Sequence, residues 1–278
     1  GVQNTLIGSD SGGSLTSGGY NTVIGHNALN ATTIGTRNIA IGLDALGTNI
    51  LTDRNVAIGI DALKVMVGDG VTNNQTTYNT AVGYGAGQAV TSGINNNLLG
   101  GLAGAGLTAG ASNVAIGYAA LSTEDDHGRN IAIGELALAS QNAGVDAYNV
   151  AIGYNAGTSM LTGIRNIIIG AEAGDALTTG DYNVAIGHEA LSTEDAHGRN
   201  VAIGYRALRD MDAGTDAYSV AIGYLAGENI TTGTQNTLIG GLAGDGLTTG
   251  ADNTAVGYAA LSTENAHGRN TAIGKGAL

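Results

Sequence analysis

One short pattern, Asn-x-Ala-Ile-Gly, returns along the whole 278-residue chain and limits the folds available to it. Successive copies are evenly spaced, as Asn4 is from Asn21, and only the steps after Asn55, Asn130 and Asn200 are longer. Short repeats of constant length are typical of solenoids, in which each copy forms one coil. We number each coil from the residue that opens it, and these sixteen residues are Asn4, Asn21, Asn38, Asn55, Asn79, Asn96, Asn113, Asn130, Asn149, Asn166, Asn183, Asn200, Ser219, Asn236, Asn253 and Asn270.

The insertions divide this single continuous array, residues 1–278, into four groups of coils: 4–78, 79–148, 149–218 and 219–278. In the last three groups, two Ala-Gly coils precede two Ala-Leu coils, and a leucine absent from position nine returns three positions later, as at Leu107, Leu177 and Leu247. A core of constant volume would require this exchange. Because solenoids usually carry atypical polar end repeats, we expect the chain to be an excerpt of a longer one.

The residue types favour short strands that end at glycine. Thr, Val and Ile prefer strands, glycine suits sharp corners, and the chain has 48 Gly but no Pro, Cys, Trp or Phe. We therefore predict an all-β fold, a parallel β-solenoid or β-roll with coils of about 17 residues. Stacked coils would place the opening asparagines in a hydrogen-bonded ladder, which includes Asn113, Asn130, Asn149, Asn166, Asn183 and Asn200.

Position four of the coil is always Ile, Val or Leu, and this pattern predicts that it faces the interior. The core would then contain Ile116, Ile133, Ile152, Ile169, Ile186, Ile203 and Ile222. Position three is also always apolar, and neighbouring strand residues point to opposite faces. Both faces therefore need cover, which indicates association with copies of the same chain.

The segments Asn149–Gly153 and Asn183–Gly187 resemble the head repeats of the YadA-like trimeric autotransporter adhesins and are similar to repeats in tail-fibre proteins of phages. The resemblance covers essentially the whole chain. It implies a left-handed parallel β-roll and an intertwined or side-by-side parallel homotrimer forming a rod. It also implies attachment to a host-cell glycan or protein receptor from an extracellular or virion surface.

The segment Ser-Thr-Glu-x-x-His-Gly-Arg is the strongest candidate for metal chemistry, and it contains His127, His197 and His267. Each of these histidines lies four coils from the next, so they cannot bind one metal ion within a chain. Three chains could bring copies together, with Glu194 or Asp195 nearby. The alternative is a polar turn in which the arginine pairs with the glutamate, and on balance we predict no metal and no cofactor.

All eleven tyrosines lie at two positions flanking the strand. Tyrosine rings can stack on sugars or simply cover the corners of coils. The candidate contact residues are those that follow the strand's glycine, Tyr118, Tyr154, Tyr205, Tyr224 and Tyr258. Loops on rigid scaffolds often carry recognition, so the longer loops 64–78, 139–148 and 209–218 are further contact candidates.

Charge and composition disfavour several functions. The net charge of −13 has the wrong sign for nucleic acid, and the apolar runs are too short for membrane insertion within this segment. Ser192, Asp195 and His197 lie in one turn without a sign of a pocket, so we expect no enzyme. The predicted function is a non-enzymatic attachment fibre, the shaft or head of a phage tail fibre. Alternatives are a bacterial trimeric surface adhesin, a structural extracellular filament or a polysaccharide-degrading spike.

Overall fold

The computed structural model describes residues 1–69, 75–263 and 265–278. Throughout those ranges the chain forms short strands, turns and bends, without helices. Accordingly, the described residues contain no helical segment with the length and apolarity to cross a bilayer. The predicted loop 64–78 lies partly outside the described residues, which end at 69 and resume at 75.

The described chain is a parallel β-solenoid of about 15 turns with coils of about 17 residues, which confirms the predicted fold class. Its residues fall into two compact units, Gly1–Leu136 with Gly144–Asp146, and Ala137–Ala143 with Ala147–Leu278. The first unit contains β1 (Thr5–Ile7), β2 (Thr22–Ile24), β3 (Ile39–Ile41), β4 (Thr52–Asp53), β5 (Val56–Ile58), β6 (Gln75–Thr76), β7 (Thr80–Val82), β8 (Asn97–Leu99), β9 (Val114–Ile116) and β10 (Ile131–Ile133). The second contains β11 (Val150–Ile152), β12 (Ile167–Ile169), β13 (Val184–Ile186), β14 (Val201–Ile203), β15 (Val220–Ile222), β16 (Thr237–Ile239), β17 (Thr254–Val256) and β18 (Thr271–Ile273).

Equivalent residues of successive coils pair in register within each unit. Between β13 and β14, for example, Val184 pairs with Val201, and Ile186 pairs with Ile203. The separate pair β4–β6 lies in the first unit, where the group 4–78 has its insertion. In-register stacking aligns each position of the coil in a column, so the sequence period becomes a spatial period.

The side chains at position three of the coil point into the interior of the solenoid, whereas those at position four point outward. Ala185, Ala202 and Leu238 at position three are 0% exposed, whereas Ile116 and Ile222 at position four are each 37% exposed. The prediction that position four forms the core is therefore wrong. It fails in the same way for the other predicted core residues, which are only half-buried: Ile133, Ile152, Ile169, Ile186 and Ile203.

The narrow interior explains this inversion. Leucine, isoleucine or methionine from the opposite side of each coil fills the space in front of the strand, so position three usually has room only for alanine. In the second unit these residues, apart from Leu278 of the last coil, are at most 1% exposed, and they lie at position nine (Leu138, Leu191, Leu208, Leu261) or position twelve (Met160, Leu177, Met211, Ile230, Leu247). The larger β-branched residues of each strand therefore point outward.

The exchange of leucine and glycine keeps the core filled, as the sequence predicted. Leu107, Leu177 and Leu247 are fully buried. Leu238, a large residue at position three, lies where its own coil and the preceding coil have glycine at position nine. A Cβ atom on Gly227 or on Gly244 would each come within 2.7 Å of a δ carbon of Leu238. These glycines thus leave the volume that Leu238 occupies.

The predicted asparagine ladder is present, and all six of its named members are buried with 0% exposure. Its bonds run mainly between side chain and backbone. The Asn166 Oδ1 atom accepts a hydrogen bond from the Asn183 amide at 2.8 Å, and Asn183 Oδ1 accepts one from the Asn200 amide at 3.0 Å. Asn166 Nδ2 donates to the Gly180 carbonyl at 2.9 Å. Each asparagine thereby satisfies backbone groups that the corner of the coil leaves unpaired.

Glycine ends each strand because the backbone turns where the next coil lies against it. Gly187 has φ +137°, a conformation that residues with side chains rarely adopt. A Cβ atom there would overlap the carbonyl oxygen of Gly204 in the next coil. The backbone therefore requires both ends of the Asn-x-Ala-Ile-Gly pattern. The asparagine side chain bonds to backbone groups, and the glycine allows the turn.

Candidate functional site

The outward side of the parallel sheet is apolar, and we call it the sheet face. In the second unit it consists of positions two and four of the eight strands, each of them half-buried or exposed. Ile167 is 41% exposed and Ile239 is 40% exposed. In-register pairing places these side chains in two columns with the following members: Val150, Ile152, Ile167, Ile169, Val184, Ile186, Val201, Ile203, Val220, Ile222, Thr237, Ile239, Thr254, Val256, Thr271 and Ile273.

The sheet face of the second unit is as large as the largest apolar patches found on ordinary monomers. Eight strands spaced by about 4.8 Å and about 10 Å wide give roughly 400 Å² in the second unit alone. The largest apolar patches of ordinary monomers reach about 300–600 Å² and are often functional. Purely parallel sheets, moreover, are almost always covered on both faces. The sheet face therefore has the character of an association surface.

A column of aromatic rings at position six lies beside the sheet face. The rings of His188 and Tyr205 stack with centroids 5.6 Å apart, and those of Tyr205 and Tyr224 stack at 5.4 Å. The predicted contact residues are all exposed: Tyr118 at 56%, Tyr154 at 48%, Tyr205 at 38%, Tyr224 at 58% and Tyr258 at 55%. Their accessibility is compatible with contact, and a role in binding stays a prediction.

A second column consists of the last residue of each coil, and from Tyr148 to Tyr218 it alternates tyrosine with arginine. The guanidinium groups of Arg165 and Arg199 lie over the Tyr182 ring, 5.5 and 5.6 Å from its centroid, and Arg199 also lies 5.6 Å from the Tyr218 centroid. The sequence analysis recognised the tyrosines of this column as flanking the strand, but it missed the arginines between them. The signal was available, because tyrosine and arginine alternate immediately before the opening residues from Tyr148 to Tyr218.

The histidine segments form a different turn from the one predicted. Arg199 pairs with Asp216 of the following coil, and Arg129 pairs with Asp146 in the same way. Glu194, which we expected to pair with Arg199, instead lies beside His197. The expected Arg–Glu pairing within the turn is therefore replaced by an Arg–Asp pairing between coils.

Each of two histidine segments brings potential metal ligands together within one chain. In the second unit, Glu194, Asp195, His197 and Asp212 each offer one ligand atom, and all these atoms lie within 4.8 Å of one another. We call these four residues the Glu194 cluster. Sequence reasoning considered such a site only between chains, because it did not foresee that Asp212 of the next coil lies beside His197.

The equivalent residues of the first unit are Glu124, Asp125 and His127, which also form a cluster. For the third segment, Glu264 lies outside the described residues, so the surroundings of His267 are only partly defined. A third group consists of Glu172, His188 and Glu189. In this group Glu189 forms an ion pair with Arg206. There, the Arg206 guanidinium 2.6 Å from Glu189 lowers the pKa of that carboxyl.

Burial controls the protonation of the Glu194 cluster. The Glu194 side chain is 0% exposed, and the loss of hydration raises the pKa of its carboxyl despite a hydrogen bond from the His197 amide. Burial likewise raises the pKa of Asp175 and Asp245, which lie on other coils of the same unit.

The molecule is thus a parallel β-solenoid with an apolar sheet face, stacked aromatic columns and an acidic histidine cluster. No protein-family model, curated protein or solved structure matches the chain. The resemblance to trimeric adhesins and phage fibres, which the repeat motif suggests, therefore stays a prediction.

Proposed function

We propose that the chain is a non-enzymatic fibre protein that assembles with copies of itself and attaches to a host-cell surface. The sheet face carries this proposal, because a parallel sheet with β-branched residues on its outer side needs a cover of matching period. Another copy of the chain offers the same coil length and the same flat apolar columns. The proposed assembly is a parallel homotrimer, a number that derives from the adhesin and phage-fibre resemblance.

Attachment is assigned to the aromatic columns and to the loop 209–218. Tyr224 and Tyr258 expose more than half of their surface, and a tyrosine offers both an apolar ring and a hydroxyl to a glycan. A repeated column presents the same group once per coil, which suits a repetitive cell-surface polymer. The corresponding location is the extracellular space or the surface of a virion.

Electron microscopy of the purified chain, combined with one pair of variants, tests the assembly. Ile186→Lys places a charge in the middle of the sheet face, and Thr193→Lys places the same charge at an exposed position outside it. We expect discrete fibres of fixed length for the natural chain and for Thr193→Lys, and dispersed particles for Ile186→Lys. Intact fibres in Ile186→Lys would contradict the role of the sheet face.

The same images and one assay separate the alternatives. Polymers of indefinite length would favour a purely structural filament over an attachment fibre. A glycan-array measurement with the natural chain and a Tyr224→Ala variant tests attachment, for which we expect binding that the variant weakens. Release of reducing sugars from a bound glycan would identify a polysaccharide-degrading spike instead.

A further inference from the structure

Glu194 occupies a position that belongs to the hydrophobic core. It is the twelfth residue of its coil, and the twelfth residues of the preceding and following coils are Leu177 and Met211. All three side chains are 0% exposed. A carboxylate in such a place loses its hydration, so it is stabilised by protonation, by a partner of opposite charge or by a metal ion.

The hydrogen bonds of the protein leave part of this carboxylate unsatisfied. The Oε1 atom accepts a hydrogen bond from the His197 backbone amide at 3.1 Å. The Ala213 amide also favours the charged form of the carboxyl and lowers its pKa. The Oε2 atom is nevertheless buried and makes no hydrogen bond of good geometry within the described residues. Buried polar atoms of this kind are rare in native proteins, and a bound ion or an ordered water would satisfy this one.

The imidazole of His197 faces the same carboxylate. Its Nδ1 atom lies 3.3 Å from Glu194 Oε1, and among the described residues this buried nitrogen also lacks a hydrogen bond. Two ligand atoms bound tetrahedrally to one zinc ion, each about 2.0–2.1 Å from it, are separated by about 3.4 Å. The observed separation therefore matches a pair of metal ligands.

Two exposed aspartates complete the group on its solvent side. Asp195 follows Glu194 directly, and Asp212 comes from the next coil, where its backbone amide donates to the Thr231 carbonyl at 2.8 Å. The ligand atoms of the whole cluster lie within 4.8 Å of one another. Ligand atoms on opposite sides of one ion are separated by about 4.2–5 Å. The ligand atoms of the cluster are therefore close enough together to bind one ion.

We propose that the Glu194 cluster binds a divalent transition-metal ion of the zinc type and thereby joins two successive coils. One imidazole nitrogen with carboxylate oxygens suits zinc better than calcium or magnesium, which prefer oxygen ligands alone. Two groups of the site are open to solvent, which gives the ion a path of entry. The role is structural and goes beyond the proposed attachment.

The first unit contains a natural comparison. Glu124, Asp125 and His127 repeat the first three ligands, but the residue equivalent to Asp212 is Asn142. An amide oxygen is neutral and a weaker ligand than a carboxylate. The chain should therefore bind one ion tightly at the Glu194 cluster and a second one more weakly, and the two positions can be exchanged by substitution.

Isothermal titration of the chelator-treated, tag-free full chain with Zn²⁺ tests the site. We expect one tight ion per chain. Asp212→Asn should weaken that binding at least about tenfold, since even residues behind the ligands change affinity about 10- to 100-fold. Asn142→Asp should strengthen the second site, and Asp252→Asn, outside the cluster, serves as the charge-matched control. Far-UV circular dichroism verifies that each variant is folded.

Cobalt absorption spectra add a readout that depends on the histidine. We expect visible Co²⁺ bands that His197→Asn alters and Asp252→Asn leaves unchanged. The proposal is overturned if Zn²⁺ does not bind at millimolar concentration, or if Asp212→Asn and His197→Asn leave its affinity unchanged. Equal affinity for Ca²⁺ and Zn²⁺ that does not depend on His197 would likewise overturn the proposal, because it would show only non-selective binding to surface carboxylates.

Discussion

Two neighbouring residues of β16 test which side of the strand forms the core. Leu238 is 0% exposed and Ile239 is 40% exposed. Leu238→Ala and Ile239→Ala remove the same number of carbon atoms, at adjacent positions of one strand. Any difference in stability therefore reports the surroundings of the two side chains and not their chemistry.

The structure gives the expected magnitudes. Three buried carbons contribute roughly 2.4 kcal/mol at about 0.8 kcal/mol each, and Leu238→Ala also leaves a cavity. Gly227 and Gly244, which flank Leu238, have no side chains that could move into this space. The total should lie in the range of about 3–5 kcal/mol found for buried leucines. Ile239→Ala should cost about 1–1.5 kcal/mol, because two fifths of the side chain is already exposed.

Urea unfolding followed by far-UV circular dichroism measures both free energies. It is carried out at two protein concentrations, because only a loss that acts through association depends on concentration. A larger concentration-independent loss for Ile239→Ala than for Leu238→Ala would refute the inward orientation of position three.

Three further predictions concern single columns of the solenoid. Asn183→Ala should lower the unfolding free energy by about 2–4 kcal/mol, because the Asn200 amide and the His197 carbonyl lose their partner; Asn183→Ser should cost less in the same urea titration, since a serine hydroxyl can still accept the amide. Gly187→Ala should cost more than about 1 kcal/mol by thermal unfolding, since its φ is positive and the next coil is in contact. Burial raises the pKa of Glu194, so the metal-free chain should lose stability as the pH rises above about 4.5, the ordinary pKa of a glutamate; a Glu194→Gln variant that loses as much would contradict this.

The repeat made the fold predictable, because a motif that recurs at so short and constant an interval leaves few ways to form a sheet. The ladder of asparagines and the exchange of Leu177 with glycine at position nine followed from the same period. The repeat period did not predict which side of the strand points into the interior. Both Ala185 and Ile186 are apolar, so hydrophobicity alone could not decide between them, and the narrowness of the interior decided it.

The Glu194 cluster shows a second limit of sequence reasoning. Glu194, Asp195 and His197 were visible as one segment, but Asp212 lies beyond the next opening asparagine, in a coil that carries an insertion. Asp212 keeps the regular period, because it lies at position thirteen of its coil, as Asp195 does, and precedes the inserted residues. The alignment of columns therefore contained this neighbour, although the segment-by-segment reading did not use it. By contrast, Asp216, which pairs with Arg199, lies within the inserted loop.

The sheet face is the central claim, and sedimentation equilibrium of the purified chain tests it most directly. A face of roughly 400 Å² of β-branched side chains in one unit is expected to be covered by another copy. The account predicts a stable assembly with about three times the chain mass of 27.4 kDa. A single species of 27.4 kDa at every concentration would contradict it.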